Sequence, residues 1–83
     1  MKNSHERDAM IKKLQEQKST VPKHSFFGDD NHRAIDYQIK VIKEELSEDD
    51  IYDRGLEHYV EIMALHTAQW LDGDVSDDEF LGD

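Results

Sequence analysis

Hydrophobic residues in the middle of the chain recur every three or four positions, which is the repeat of an amphipathic α-helix. From residue 30 to residue 46 one face carries Ile35, Ile39, Ile42 and Leu46, at spacings of four, three and four. The outer positions between them carry charges that alternate in sign, which is typical of a solvent-facing helix surface. The pattern therefore predicts a helix over about residues 30–46.

The same repeat continues further along the chain and predicts a longer helix over about residues 48–72. Ser47 and Asp50 have the spacing of a capping box, and Gly73 follows the last apolar position as a helix stop. Gly55 lies inside this stretch, where it costs about 1 kcal/mol relative to alanine. It marks either a close crossing of two helices or fraying of the first turns. The main face of the predicted helix consists of Tyr52, Leu56, Tyr59, Val60, Met63, Thr67, Trp70 and Leu71.

A shorter helix is predicted near the N-terminus, over about residues 4–18 with Ser4 as its N-cap. Its apolar stripe is thin and consists of Met10, Ile11 and Leu14. Pro22 disfavours helix at the residue before it, and two phenylalanines further on precede a glycine and two aspartates. Residues 19–30 are therefore predicted to form a loop whose phenylalanines pack into the core.

These elements predict an all-α fold, in which two long antiparallel helices and the N-terminal helix form one domain over residues 1–72. An acidic tail over residues 73–83 follows it. Each long helix also carries a second apolar strip, which includes Tyr37 and Val41 on one helix and Ile62 and Leu65 on the other. Either the longer helix lies between the other two, or one strip is the seam of a homodimer. The thin stripe of the N-terminal helix favours the dimer.

The charges of the chain are divided unevenly between its two halves. Residues 44–83 carry fourteen acidic side chains and one basic side chain, a net charge of -13, whereas residues 1–43 carry a net charge of +3. The acidic half repels nucleic acid and anionic membranes and attracts basic surfaces over a Debye length of about 8 Å. We therefore expect no direct binding to nucleic acid and a protein partner with a basic surface.

Four acidic residues of the longer predicted helix are candidates for that contact. Asp50, Asp53, Glu57 and Glu61 are spaced by three, four and four residues, which lines them along a helix ridge about 16 Å long. Carboxylates in such a row can imitate the phosphates of a nucleic acid backbone. The alternative is an acidic face that only keeps the helix solvated.

The acidic tail carries a second group of candidates. Ser76 and Glu79 have the spacing of a capping box, and two apolar residues follow them. This arrangement is typical of a short docking motif that folds on a partner. The alternatives are a disordered solubilising tail and a segment that packs back on its own domain. The candidate contact residues of the tail are Asp77, Asp78, Glu79 and Phe80.

Size and composition argue against an enzyme, a metal site and a membrane span. A chain of 83 residues buries only about 60–65% of its unfolded surface, which leaves little room for a substrate cavity. It has no cysteine, and its five histidines lack the spacing of a zinc site. The start of the tail has acidic and hydroxyl residues at the spacing of the first ligands of a calcium-binding loop, namely Asp72, Asp74 and Ser76. Asp77, however, stands where that loop needs glycine. We therefore expect no metal or cofactor and, without a leader or a long apolar run, a cytoplasmic protein.

Three stretches of the sequence resemble a known group of proteins. The segments SHERDAMIKKLQEQK, FFGDDNHRAIDYQIKVIKEELSEDDIYDR and AQWLDGD are similar to those of small acidic proteins carried by enterobacterial phages, prophages and plasmids. That group has no assigned activity and no defined functional residues. The resemblance implies a mobile-element accessory protein in a bacterium, of a class that often modulates or blocks host machinery, including defence systems.

Two functions from different classes follow from these observations. The first is a non-enzymatic acidic protein that inhibits or modulates a host protein with a basic, nucleic-acid-binding groove. The alternative is a helical assembly protein that acts through an apolar seam between identical copies, in which case the charge only maintains solubility. Binding through charge weakens as the salt concentration rises, whereas an apolar interface is little affected.

Overall fold

The computed structural model describes residues 2–20 and 28–81, with the side chains of residues 28–30 excepted. The helices in this part of the chain are α1 (Ser4–Thr20), α2 (Gly28–Ile42), α3 (Glu48–Asp53), α4 (His58–Asp72) and α5 (Asp77–Leu81). No strand occurs in the described residues, and the predicted all-α class is confirmed. None of the described helices combines the length and the apolar character that crossing a membrane requires. The predicted packing of two phenylalanines between α1 and α2 lies outside the described residues.

The core forms where α1 and α4 both pack against α2, with α3 and α5 packing on α4. Met10 and Leu14 of the thin α1 stripe are both buried, so this helix covers more of the core than its composition indicates. Trp70 is 1% exposed and is among the largest fully buried side chains. The buried apolar cluster contains Met10, Leu14, Ile35, Val41, Ile42, Leu46, Ile51, Ala64, Ala68, Trp70, Leu71 and Phe80.

The two principal helices run in the same direction, so the predicted antiparallel arrangement is wrong. At the start of both helices the Tyr59 hydroxyl donates a hydrogen bond to Asn31 Oδ1 at 2.9 Å. At their far ends, Val41 of α2 lines the same surface concavity as Ala68 and Leu71 of α4. It is α1 that runs antiparallel to them, because its last residues lie near the start of α2 and its first residues near the end of α4.

The predicted single helix over residues 48–72 is also wrong, because the chain breaks between α3 and α4. Gly55 stands in this break with a φ of +61°. Ile51 and Val60 are nine residues apart, so they would lie on opposite sides of one straight helix. Both are fully buried in the structure, and the change of direction between them lets both side chains face the same core. Tyr52, which the single-helix pattern placed on the main face, is 59% exposed.

Helix α2 ends at Ile42 and not at Leu46 as predicted. Glu44 adopts a left-handed conformation with a φ of 62°, and its N–H donates to the Val41 carbonyl at 3.0 Å. The next N–H, that of Glu45, donates to the Lys40 carbonyl at 2.9 Å. This pair of hydrogen bonds is the Schellman motif, which usually has glycine in the left-handed position. Leu46 is still buried, because the turn directs it back into the core.

The predicted helix stop at Gly73 is confirmed, since Gly73 has a φ of +88° and α4 ends at Asp72. The predicted domain boundary at this point marks the end of α4 and not the end of the packed structure. Phe80 of α5 is 4% exposed, and its ring centroid lies 5.5 Å from that of Trp70 and 5.7 Å from that of His66. The tail therefore packs back on the domain through residue 81.

Half of the predicted homodimer seam is covered within the chain. Val41 is 3% exposed, and Tyr37 is partly buried against the core. On α4, Ile62 remains 47% exposed and Leu65 is partly buried. The strip on α2 is therefore not available as a seam, whereas the strip on α4 still presents an apolar side chain to solvent.

The sign of one stability change distinguishes the broken helix from a continuous one. At a φ of +61°, Gly55→Ala should destabilise the fold by roughly 1 kcal/mol, because alanine is strained in the left-handed region. A Cβ at this position meets no atom within 4 Å, so the cost is that of the backbone alone. In one continuous helix the same change would stabilise by about 1 kcal/mol. Urea denaturation measures the change in the free energy of unfolding. Gly73→Ala is the matched control and should also destabilise the fold. A stabilising effect of Gly55→Ala would contradict the break between α3 and α4.

Candidate docking site

The predicted acidic ridge does not exist as a continuous row. Asp50 and Asp53 lie on α3, whereas Glu57 precedes α4 and Glu61 lies in its first turn. The break at Gly55 separates the two pairs, so the four carboxylates do not follow one helix axis. Their individual contacts decide which of them are free to meet a partner.

Asp50 is occupied at the start of α3. Its carboxylate accepts a hydrogen bond from the Ser47 backbone N–H at 3.0 Å, and the Asp50 N–H donates to the Ser47 hydroxyl at 3.2 Å. The predicted capping box is therefore confirmed. The hydrogen bonds from the backbone and hydroxyl of Ser47, and then the charge of Arg54, lower the pKa of Asp50, which desolvation opposes. Since the folded pKa is depressed below the usual 3.8, the box stabilises the fold above that pH and loses its effect as the pH falls through the folded pKa.

Glu57 is paired with a cation from another helix. Its carboxylate lies 3.1 Å from the Arg33 guanidinium, and the hydrogen bond and charge of Glu57 raise the pKa of Arg33 above its ordinary value. Both side chains are exposed, so the pair contributes little to stability. It does cancel the charge that Glu57 offers to a partner. Asp53 and Glu61 make no ion pair with a described residue.

The candidate residues of the tail also divide into those that support the fold and those that remain exposed. The Trp70 indole N–H donates to the Asp77 carboxylate at 2.6 Å, so Asp77 satisfies a buried donor. Phe80 is a core residue, so in this conformation its side chain is not accessible to a partner. Asp78 and Glu79 are exposed, and the Glu79 N–H donates to the Ser76 hydroxyl at 3.2 Å. Two of the tail candidates, Asp78 and Glu79, are thus exposed carboxylates that satisfy no buried group.

A different set of acidic residues surrounds a groove that the sequence did not reveal. A concavity of about 310 Å³ lies where the turn after α2 and the start of α3 meet the end of α4. Its buried floor is apolar and consists of Val41, Leu46, Ala68 and Leu71. Its exposed rim carries the carboxylates of Glu44, Glu48 and Asp72. We call this feature the acidic groove.

The backbone adds negative potential to the acidic groove. Glu44 lies two residues beyond Ile42, the last residue of α2, and Asp72 is the last residue of α4. Helix C-termini carry about half a negative charge from their free carbonyl groups, so carboxylates are disfavoured there. The last turn of α4 contains no basic residue. Two like-oriented helix ends and three carboxylates therefore act on the same small area.

Glu44 is the only rim residue with an ion pair among the described residues. Its carboxylate lies 3.2 Å from the Arg7 guanidinium of α1. Neither Glu48 nor Asp72 pairs with a described cation, which leaves both available. A weak signal for this site is present in the sequence, because Glu44 and Asp72 both stand where a helix end would favour a basic residue.

Comparison of the chain with protein-family models, with curated proteins and with solved structures finds no match. Within residues 2–20 and 28–81, no group of three or more histidine, aspartate or glutamate side chains is arranged to hold a metal ion. The function therefore has to be argued from the acidic groove itself.

The capping box gives a titration that can be measured. Ser47→Ala should raise the pKa of Asp50 part of the way to its ordinary value, because the hydroxyl is lost and the backbone N–H remains. The fold should lose roughly 1 kcal/mol of stability, the usual cost of removing a serine cap. An NMR titration of the Asp50 carboxyl carbon and a urea denaturation curve measure the two effects. Ser76→Ala, which removes the cap of α5, should leave the Asp50 titration unchanged. If Ser47→Ala left the titration midpoint of Asp50 unchanged, the role of Ser47 in lowering the pKa of Asp50 would be contradicted.

Proposed function

We propose that this chain is a non-enzymatic acidic binding protein that docks on a basic surface of another protein through the acidic groove. The observation that carries the proposal is the combination of an apolar floor with a rim of carboxylates. Arginine and lysine have the matching shape, since an aliphatic stem packs on apolar surface while the charged end reaches acidic groups. A carboxylate also binds arginine through paired hydrogen bonds, which fixes its orientation.

The remaining acidic residues support this function by attraction at longer range. Twelve of the thirteen acidic side chains in residues 44–81 are exposed. Glu44 and Glu57 are the two that form ion pairs with described residues. The negative field of this half is therefore largely uncompensated within the described structure. Such a field accelerates the approach of a basic partner and loses strength as salt is added.

The resemblance to mobile-element proteins supplies the proposed setting. The partner is then a protein of the bacterial host, and its basic surface is one that normally binds nucleic acid. Occupying that surface would inhibit or modulate the host protein without any chemical step by this chain. The proposed location is the cytoplasm of the host cell.

A second function, assembly through an apolar seam, has one observation in its favour. Ile62 is 47% exposed, and it lines a shallow concavity of about 270 Å³ together with Leu65, His66 and Gln69. The seam is smaller than predicted, because the strip on α2 lies inside the fold. The acidic groove is thus the better supported contact.

Neutralising two rim residues tests the docking proposal. Glu48→Gln with Asp72→Asn should lower the affinity for the host partner at least about tenfold, or about 1.4 kcal/mol. The change in the stability of the fold should stay within about 1 kcal/mol, because exposed charges contribute little individually. The affinity is measured with the partner captured from an enterobacterial lysate, at about 50 and 200 mM salt.

Asp53→Asn with Asp78→Asn is the matched control, because it removes the same charge from the same half without touching the acidic groove. This pair should lower the affinity less than the rim pair. Equal losses from both pairs would show that only the total charge matters. If neither pair affects binding, and the parent sediments as a dimer that Ile62→Asp dissociates, the assembly function is supported instead.

A further inference from the structure

The acidic groove has a cation of the same chain beside it. Arg7 of α1 reaches Glu44 on the rim, and the two charged groups lie 3.2 Å apart. The Lys2 N–H donates to the Leu71 carbonyl at 3.3 Å, and Leu71 belongs to the apolar floor. The N-terminal residues of the chain therefore border the acidic groove at the ends of both α2 and α4.

The guanidinium of Arg7 is incompletely satisfied in this position. Among the described contacts, its approach to Glu44 is an ion pair without a hydrogen bond, whereas Arg33 and Glu57 form both. Its Nη2 group donates to Ser4 Oγ at 3.4 Å, which is long for a hydrogen bond. Its Nε is buried and has no hydrogen-bond partner among the described residues. Buried polar groups are nearly always paired, so few bonds hold the Arg7 guanidinium at the rim.

We infer that Arg7 is an intramolecular competitor for the acidic groove, an inference that rests on the docking function proposed above. In the free protein the Arg7 guanidinium compensates the Glu44 carboxylate. An arginine of the partner that enters the groove takes over this carboxylate, and the Arg7 guanidinium turns outward, where water satisfies its Nε–H. The exchange is accessible because 24% of the Arg7 side chain and 52% of the Glu44 side chain are exposed. It is favoured because the incoming arginine can form the paired hydrogen bonds that Arg7 does not make.

The test measures the affinity of the full chain for a hexa-arginine peptide by isothermal titration calorimetry at about 50 mM salt, where screening is weak. Arg7→Met keeps an unbranched aliphatic side chain and removes both the competing charge and the unpaired Nε–H. It should bind the peptide at least about threefold more tightly than the parent. Lys12→Met is the matched control, because it removes the same charge from an exposed position of α1 that does not line the acidic groove. Its gain in affinity should be smaller than that of Arg7→Met.

A double-mutant cycle measures whether the gain in affinity passes through Glu44. In the parent, Glu44→Gln should weaken peptide binding only about twofold, because Arg7 already compensates that carboxylate. In the Arg7→Met background the same change should weaken binding at least about fivefold, because the carboxylate is then free for the peptide. Equal effects of Glu44→Gln in the two backgrounds would overturn the inference, because Arg7 would then act through the total charge alone.

The rim variant separates a failure of docking from a failure of the competition. Glu48→Gln with Asp72→Asn should weaken peptide binding whether or not Arg7 is present. If this pair leaves the affinity unchanged, or if the peptide binds neither the parent nor Arg7→Met, the docking function fails and the competition fails with it. If the rim pair weakens binding but Arg7→Met binds no more tightly than Lys12→Met, the competition alone is overturned. Should Arg7→Met fold poorly, Arg7→Gln repeats the measurement with a neutral polar side chain.

Discussion

The parallel packing of α2 and α4 is the constraint on which the rest of the structure depends. Two neighbouring helices that run in the same direction need a connection that returns along their length. Residues 43–57 make that connection, and α3 lies within it with Ile51 fully buried. The left-handed residues Glu44 and Gly55 stand near the two ends of the connection, where the chain has to change direction. The end of α2, the shortness of α3 and the start of α4 all follow from this requirement.

Local signals in the sequence predicted the parts of the fold that depend on neighbouring residues. The cap at Ser47 and the stop at Gly73 involve groups within a few residues of each other, so their chemistry is visible in the sequence. The direction of α4 relative to α2 has no such signal, because an apolar stripe faces a core equally well in either direction. The sequence did contain two clues to the break before α4: Gly55 lies inside the predicted helix, and Ile51 and Val60 fall on opposite sides of a continuous helix. The turn at Glu44 was missed because glutamate stands where glycine is usual.

The candidate site, like the direction of α4, depends on contacts between residues that are distant in sequence. Sequence alone could not separate acidic residues that support the fold from those that remain free, since the distinction depends on distant partners. Glu57 pairs with Arg33, which is 24 residues away, and Asp77 accepts from Trp70 across the turn between α4 and α5. The acidic groove combines residues from three elements, and its position follows from the parallel arrangement that the sequence did not reveal. The net charge of the C-terminal half was visible from the start, but its concentration at two helix ends was not.

Glu44 shows how stability and binding can place opposite demands on one position. A glycine there would relieve the backbone of a left-handed conformation that costs an L-amino acid roughly 1–2 kcal/mol. The same change would remove a carboxylate from the rim of the acidic groove and the partner of Arg7. Backbone strain that persists at such a position is typical of a residue retained for recognition. Selection for thermal resistance alone would therefore be expected to replace this glutamate early, and the more durable protein that resulted would have a weaker contact surface.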